Sequence, residues 1–185
     1  MAFTFFILFI ITTLFFVILI FSSKRFSPIP YFPSKKQDLP LIIKSLDLKN
    51  NQVIFDLGAG DGIVIFAAAK EALGKKLNTK FIAVEINPIL IFILHLRRLF
   101  HPNKKNIKIV KDDIFSMNFS SLTTNYSLLT TFYLYISPWF LDKVAKKILK
   151  EFPKAKIISY MYPIKYLKKK ERIIRGKNSI FIYDF

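Results

Sequence analysis

The sequence predicts a doubly wound α/β domain with a mostly parallel sheet, preceded by one N-terminal transmembrane helix. Strand-like and helix-like segments alternate from residue 40 onward, a glycine-rich turn follows the first strand, and residues 2–21 form an apolar run with no charge and only three Thr. Alternating strands and helices bury a parallel sheet under helices on both faces. We therefore divide the chain into an anchor at 1–23, a proline-rich segment at 24–40 and a domain at 41–185.

The composition is that of a folded and strongly basic chain. Its 185 residues fit one domain, and 29 Lys and Arg against 12 Asp and Glu give a net charge of +17. Hydrophobic residues make up 52% of the chain, which excludes an intrinsically disordered protein. The absence of Cys excludes disulfides, thiolate zinc sites and a cysteine nucleophile. Because only His95 and His101 remain as nitrogen ligands, we predict no metal site.

The apolar run at residues 2–21 predicts the membrane-spanning helix. It carries no charge, and twenty helical residues are about 30 Å long, which matches the hydrocarbon core of a bilayer. A signal peptide, the main alternative, would begin with basic residues and end at a small-residue cleavage site. Here Lys24 and Arg25 follow the run instead. Because positive flanks stay in the cytoplasm, we expect the N-terminus outside and the domain in the cytoplasm.

The elements of the domain follow from apolar periodicity and from breaker residues. The predicted helices are Leu41–Leu48, Ile63–Leu73, Pro88–Phe100 and a helix that starts at Pro138 after an N-cap at Ser137. The predicted strands are Val53–Leu57, Phe81–Val84, Ile107–Val110, Ser127–Ile136, Ala155–Tyr160 and Ile180–Asp184. The very apolar stretch Ile89–Leu94 is too short to cross a membrane, and we expect its helix to be buried in the core.

The most informative segment is the turn after the first strand, where residues 56–62 read DLGAGDG. Glycine is needed where φ is positive or where a ligand approaches the backbone. A dinucleotide fold uses G-x-G-x-x-G around a pyrophosphate, whereas here Asp61 sits where phosphate would pass and Asp56 adds a second acid. The turn therefore favours a ligand that has a cationic end and no phosphate. S-adenosylmethionine, with an ammonium and a sulfonium, is such a ligand.

Acidic residues at the ends of the next two strands complete the predicted cofactor site. Glu85 is placed to accept both ribose hydroxyls, and Asp113 can accept the adenine amine, with Asp112 as the alternative. The carboxyl ends of these strands meet at the crevice where open α/β sheets bind ligands. The predicted cofactor-binding residues are Asp56, Gly58, Ala59, Gly60, Asp61, Gly62, Glu85 and Asp113.

These motifs resemble those of the Rossmann-like, seven-strand (class I) S-adenosylmethionine-dependent methyltransferases. The turn DLGAGDG looks like the first motif of that class. The resemblance is closer still to the membrane-anchored lysine methyltransferases related to the ATP synthase c-subunit methyltransferase. Besides the N-terminal anchor it rests on YFPS at 31–34, FDLGAGDGIVIFAAAK at 55–70, AVEINP at 83–88, DIF at 113–115, AKIISYMYP at 155–163 and IFIYD at 180–184.

The resemblance implies methyl transfer from S-adenosylmethionine to a protein lysine in or near a membrane. It also implies that Tyr31 and Pro33 fold back over the active site. Together with Tyr133 they are our candidates for the catalytic acceptor channel, and Tyr160 is a further aromatic candidate. Residues 131–138, which should border the acceptor, depart from the family pattern. Two other functions therefore stay open: methylation of a lipid or small lipophilic acceptor, and a non-catalytic, cofactor-binding membrane scaffold.

The excess of positive charge has three interpretations. The densest cluster, residues 165–175, is either attracted to anionic lipid or is a solvated basic face. RNA binding is a third possibility. The chain shows no aromatic-interleaved RNA module, and a tethered enzyme would reach few transcripts. We therefore expect a membrane and a protein substrate as partners rather than nucleic acid.

Overall fold

The computed structural model describes residues 2–22, 32–123 and 129–185, with side chains described from residue 2 to 16 in the first range. The chain divides into two units, residues 1–31 and Phe32–Phe185. In the first unit, Ala2–Ser22 form the helix α1. Across the described part of the chain, no helix combines the length and the apolarity that crossing a membrane requires. The predicted anchor and the boundaries at residues 23 and 40 stay predictions.

The described part of the second unit is built on a seven-stranded sheet. Its strands are β1 (Gln52–Leu57), β2 (Lys80–Glu85), β3 (Ile107–Lys111), β4 (Leu129–Leu134), β5 (Lys156–Tyr160), β6 (Glu171–Arg175) and β7 (Ser179–Tyr183). Their order across the sheet is β3-β2-β1-β4-β5-β7-β6. The first five strands pair in parallel, and β7 runs antiparallel to β5 and β6. This confirms the predicted doubly wound, mostly parallel sheet.

Four further α-helices lie in the described part of the second unit, one before β1 and three between strands. They are α2 (Leu39–Leu46), α3 (Ile63–Gly74), α4 (Pro88–Leu99) and α5 (Pro138–Glu151). Each begins within two residues of its predicted start. A proline lies in the first turn of α2, α4 and α5, where its missing N–H costs no helical hydrogen bond. Ser137 holds the predicted N-cap position of α5.

Alternate residues of the central strands enter two cores on opposite faces of the sheet. On one face, Ile54 and Tyr133 belong to the cluster that contains the buried sides of α2 and α3. On the other face, the rings of Phe55 and Phe132 stack with centroids 4.7 Å apart. Phe152, the residue after α5, packs against both rings. Burial on both faces is the reason that these strands do not alternate between apolar and charged residues along their length.

The edge strand β6 is absent from the sequence-based prediction, which assigned its residues to a basic cluster. It pairs on one side only, with β7, and its Arg172, Ile173 and Arg175 side chains are exposed. An edge strand has one row of backbone N–H and C=O groups that pairs with no other strand of the sheet. Charged side chains on such a strand are tolerated, and they discourage pairing with other chains. The alternating apolar pattern that marks a half-buried strand is therefore missing from this stretch.

Helix α4 also differs from its prediction, because it is not buried in the core. Leu90 and Leu94 are its buried residues, and Leu94 belongs to the cluster that includes α3. Phe92, between them, has 67% of its surface exposed. The helix therefore packs through one narrow side, although apolar residues lie around most of its circumference.

Residues 32–38, which we call the strap, join the beginning of the second unit to its last hairpin. The Asp38 side chain is 1% exposed and accepts hydrogen bonds from the Tyr160 hydroxyl (2.7 Å) and from the backbone N–H groups of Lys177 (2.6 Å) and Asn178 (2.9 Å). Burial alone would raise the pKa of Asp38, but these hydrogen bonds outweigh it and lower the pKa below its usual value. A Cβ at Gly176 would collide with the Asp38 carboxylate, so the hairpin needs glycine there.

Candidate functional site

The candidate site lies at the carboxyl ends of β1, β2 and β4. From β1 the chain builds the sheet outward through β2 to β3, and it then returns to the other side of β1 as β4. A reversal of this kind leaves a crevice between the two loops that depart in opposite directions, and open α/β sheets bind their ligands there. The glycine-rich turn follows β1 directly and borders this crevice.

The turn confirms the predicted need for glycine, because Gly58, Gly60 and Gly62 have φ values of 77°, 59° and 78°. The N–H groups of Gly58 and Ala59 both donate to the Val84 carbonyl (2.9 Å each). Gly62 N–H donates to the Ala59 carbonyl (2.8 Å). The turn is thus fixed by its own hydrogen bonds and by β2, which leaves a rigid loop at the mouth of the crevice.

We expect Gly62→Ala to destabilise the folded protein by about 2–4 kcal/mol. A Cβ at this position would lie 2.6 Å from Leu94 Cδ2 and 2.6 Å from the Phe66 ring, and the left-handed backbone adds strain. Gly74→Ala is the matched control, because a Cβ there meets nothing within 4 Å and alanine is the better helix former. Chemical unfolding of the two variants tests this expectation. Equal unfolding midpoints would contradict the close packing of α3 on α4 at Gly62.

The Glu85 carboxylate ties the glycine turn to the end of β2. It is 6% exposed, and its Oε1 accepts hydrogen bonds from the backbone N–H groups of Ile86 (2.8 Å) and Asn87 (2.9 Å). Its Oε2 accepts one from Gly60 N–H (2.8 Å). A carboxylate has about four lone-pair positions, so one remains for another donor. The position borders the crevice as expected, and the proposed ribose contact stays a prediction.

Asp56 lies in β1, directly before the turn, and is 3% exposed. Burial, and secondarily the nearby charges of Glu85 and Asp61, raise the pKa of Asp56 to about 8. No salt bridge within the described residues includes Asp56 or Glu85. Two buried acids at neighbouring strand ends therefore lack a basic side-chain partner there. An arrangement of this kind favours a cationic ligand over an anionic one.

Asp61 and Asp113 are held by neighbouring protein groups. Asp61 forms a salt bridge of 2.9 Å with Arg97 of α4, and its other oxygen accepts from Ile63 N–H at the start of α3. Asp113 accepts from Phe115 N–H (2.9 Å), so its carboxylate shapes its own loop after β3. Asp112 is exposed. The predicted contacts of these acids with a ligand's ammonium and adenine stay predictions.

The predicted acceptor residues fall in three different environments. Tyr31 lies outside the described residues, and Pro33 is exposed in the strap. Tyr133 is 2% exposed, and its hydroxyl shares a hydrogen bond of 2.8 Å with the Ser34 hydroxyl. Burial raises the pKa of Tyr133 well above its usual value, so this phenol stays protonated. Tyr160 is also buried and donates its hydroxyl to Asp38, which gives it a structural role.

Four residues at or near the site were not predicted from the sequence: Ser34, Asp38, Asn87 and Arg97. Asn87 caps α4, where its Oδ1 accepts from Ile89 and Leu90, whereas its buried Nδ2 has no hydrogen-bond partner among the described residues. The Asn-Pro step at the start of a helix was a signal for this cap. Ser34 and Asp38 carry no such signal, because their partners lie 99 to 140 residues away in the chain.

Comparison with known protein sequences finds distant relatives among methyltransferases. No protein-family model matches the chain. It is 33% identical over 81 residues to a probable ribosomal RNA small subunit methyltransferase A of Methanosphaera stadtmanae, over 44% of this chain and 27% of that protein. It is 22% identical over 157 residues to the ATP synthase c-subunit lysine N-methyltransferases of Xenopus laevis and Homo sapiens. The match covers 84% of this chain but 63% and 61% of those proteins.

Comparison with solved structures identifies the fold. An RNA methyltransferase of Salinibacter ruber, in complex with S-adenosyl-L-homocysteine, superposes with a TM-score of 0.66 at 17% identity, over 83% of this chain and 93% of that one. A precorrin 8W decarboxylase from Methanobacterium thermoautotrophicum superposes with a TM-score of 0.57 at 17% identity, over 85% and 94% of the chains. At these identities the likeness establishes the architecture, and the activity has to be argued from the site.

Proposed function

Since the chain has the fold of the class I S-adenosylmethionine-dependent methyltransferases, we propose that it binds S-adenosylmethionine in the crevice beside β1 and methylates a protein lysine side chain. In this proposal residues 1–23 hold the enzyme on a membrane, with its N-terminus outside and the domain in the cytoplasm. The apolar run at residues 2–21 and the basic residues after it support the tether.

The observation that carries the proposed cofactor is the pair of buried acids at the ends of β1 and β2. Asp56 and Glu85 have no basic partner among the described residues, and burial already works against the charge on Asp56. A ligand with an ammonium and a sulfonium would compensate both carboxylates, whereas a phosphate would be repelled. When bound, S-adenosylmethionine supplies a methyl group on a sulfonium sulfur that becomes a neutral thioether after transfer.

The chain's own residues would orient the acceptor lysine and lower the pKa of its amine. A lysine amine has to be neutral to accept a methyl group, and burial beside apolar and aromatic side chains lowers its pKa. Tyr133 stays protonated and is bonded to Ser34, so it can orient a group but does not remove a proton. In this proposal the strap, which contacts Tyr133 through Ser34, forms part of the acceptor side of the crevice. We assign no general base.

Glu85→Ala is expected to weaken S-adenosylmethionine binding by about 1–3 kcal/mol, or roughly 5- to 150-fold in Kd, because charge-assisted hydrogen bonds are lost. Titration calorimetry of the full chain measures the change. Glu71→Ala is the control, since Glu71 is an exposed acid of α3 that pairs with Lys75. An unchanged dissociation constant in Glu85→Ala would show that the cofactor is held elsewhere.

RNA methylation is a second candidate, which two observations favour. The archaeal relative and the Salinibacter structure are both described as RNA methyltransferases, and the chain carries a net charge of +17. A basic surface binds phosphate backbones without a specific sequence. The similarity to the c-subunit lysine methyltransferases covers 84% of this chain, whereas the similarity to the ribosomal RNA methyltransferase covers 44%. The wider coverage favours the lysine acceptor.

Transfer of labelled methyl groups distinguishes the proposed functions. The full chain is incubated with S-adenosylmethionine labelled in the methyl group and with membranes and total RNA from the same cells. Label in a protein band, on lysine after hydrolysis, supports the proposal. Label in RNA or in the lipid extract would assign a different acceptor, and absence of label with intact cofactor binding would indicate a non-catalytic scaffold. A parallel incubation with the Glu85→Ala variant is the control, because label transferred by this enzyme should fall when its cofactor binding is weakened.

A further inference from the structure

Helix α4 presents a row of large apolar side chains to solvent. Phe92, Leu96, Leu99 and Phe100, the residue after the helix, are exposed by 67%, 49%, 57% and 78%. Their spacing of four, three and one residues places them on one side of the helix. A soluble monomer rarely exposes a contiguous apolar patch of this kind unless it meets another molecule or a membrane there.

The charges around this row are almost all positive. Residues 88–106 include Arg97, Arg98, Lys104 and Lys105 and no Asp or Glu. Of these, Arg97 is paired with Asp61. Lys70 of α3 lies across a groove of about 580 Å³ that Leu96 and Phe100 also line. The patch is therefore an apolar centre with basic flanks.

Helix α5 of the same unit has a different pattern on its outer face. The exposed positions of α5 are Trp139, Lys143, Lys146 and Lys150, so one apolar residue is followed by three lysines. Its outer face is that of an ordinary solvated helix. On α4, by contrast, the exposed positions are Phe92, His95, Leu96 and Leu99, so most of them are large and apolar.

We infer that the outer face of α4 rests on the surface of an anionic lipid bilayer. Apolar side chains on a helix that lies in the interface enter the boundary between headgroups and acyl chains, and each nearby Lys or Arg adds attraction to anionic lipids. The basic flanks and the absence of acids between residues 88 and 106 complement a phospholipid surface. The inference concerns a surface outside the crevice and does not rest on the proposed methyl transfer.

A polarity-sensitive fluorophore attached to single cysteines of the full chain tests this inference. The chain has no cysteine of its own, so Leu96→Cys and Leu99→Cys each carry one label. With vesicles of phosphatidylcholine and phosphatidylglycerol, we expect their emission to shift to the blue and to be quenched by brominated acyl chains. With phosphatidylcholine alone we expect a smaller shift. Phe92→Glu, a change at a solvent-exposed position, should reduce the shift of the label at residue 96.

Trp139→Cys provides the control label, because Trp139 is 82% exposed on α5, whose outer face is that of an ordinary solvated helix. We expect this label to remain in water with both kinds of vesicle. The inference is overturned if the labels on α4 also remain in water, if all three labels respond equally, or if anionic lipid makes no difference. A shift that depends on protein concentration without vesicles would instead assign the face to contact between copies of the chain, which also overturns it.

Discussion

Asp56→Asn is expected to make the ligand-free protein more stable at pH 8 while weakening its binding of S-adenosylmethionine. Burial, with the charges of Glu85 and Asp61, raises the pKa of Asp56 to about 8 in the folded state, against an ordinary value of 3.8. An uncharged amide of the same shape avoids the cost of a buried negative charge. The same substitution removes a carboxylate that a cationic ligand would need.

The pH dependence of this effect follows from the direction of the pKa shift. A carboxyl with a raised folded-state pKa contributes its full stability below the unfolded pKa and loses it as the pH rises toward 8. Between about pH 5 and pH 8 the parent should lose roughly 1.4 kcal/mol per pH unit relative to the Asn variant, or about 4 kcal/mol in all. Chemical unfolding of both proteins at a series of pH values measures this difference. Parallel stability curves would mean that Asp56 is ionised in the free protein.

Binding of a cationic ligand should release a proton from Asp56 near pH 7. Most of the Asp56 carboxyl is protonated at that pH, and a nearby positive charge favours the ionised form. Calorimetry in buffers with different ionisation enthalpies counts this proton. The parent should release a proton on binding S-adenosylmethionine, and Asp56→Asn should release none. Equal proton release in the two proteins would assign the proton to another group.

Asp38→Ala is expected to destabilise the second unit by about 4–6 kcal/mol. Three hydrogen bonds to a charged group contribute roughly 4.5–9 kcal/mol, and relief of the cost of burying the carboxylate offsets part of this. The variant would leave the buried Tyr160 hydroxyl and the N–H groups of Lys177 and Asn178 without their acceptor. This loss is a large part of the 5–15 kcal/mol typical of a domain. Urea midpoints measure the loss, and Glu71→Ala, at an exposed acid, should change them little. A midpoint close to that of the parent would contradict the role of the strap.

Asp38 and Asp56 change the stability of the protein in different pH ranges. Because the folded-state pKa of Asp38 is lowered, its contribution is present above the unfolded value near 3.8 and is lost as the pH falls through the folded value. Acid unfolding of the parent should therefore include a step below about pH 4 that Asp38→Asn lacks. Above pH 5 the free energy of unfolding of Asp38→Asn should be lower than that of the parent by a constant amount. A parent curve without the acid step would mean that folding does not lower the pKa of Asp38.

The sequence predicted those parts of the site that depend on short stretches of chain. A strand, three glycines with positive φ and a following helix lie within residues 52–74, so local patterns suffice to identify them. Asp56 and Glu85 were found because they end two successive apolar strands. Contacts between distant segments left no such pattern. The Arg97 partner of Asp61 lies 36 residues away, in a helix whose sequence does not indicate which residue its arginines contact.

The two errors in the fold have opposite physical causes. Strand β6 lacked an apolar pattern because it is an edge strand, with Arg172, Ile173 and Arg175 exposed on both of its faces. Helix α4 had too many apolar residues, and burial was inferred for side chains such as Phe92 that the structure exposes. Hydrophobic pattern reports how many apolar residues an element has, but it does not report whether a neighbouring element covers them.

The distance along the chain between Asp38 and its partners has a consequence for biosynthesis. The N–H groups that donate to Asp38 belong to Lys177 and Asn178, 139 and 140 residues further along the chain. The ribosome must therefore have translated residue 178 before Asp38 can form these hydrogen bonds. Nascent chains stalled upstream of this hairpin should remain sensitive to protease at residues 32–46, whereas released chains become resistant.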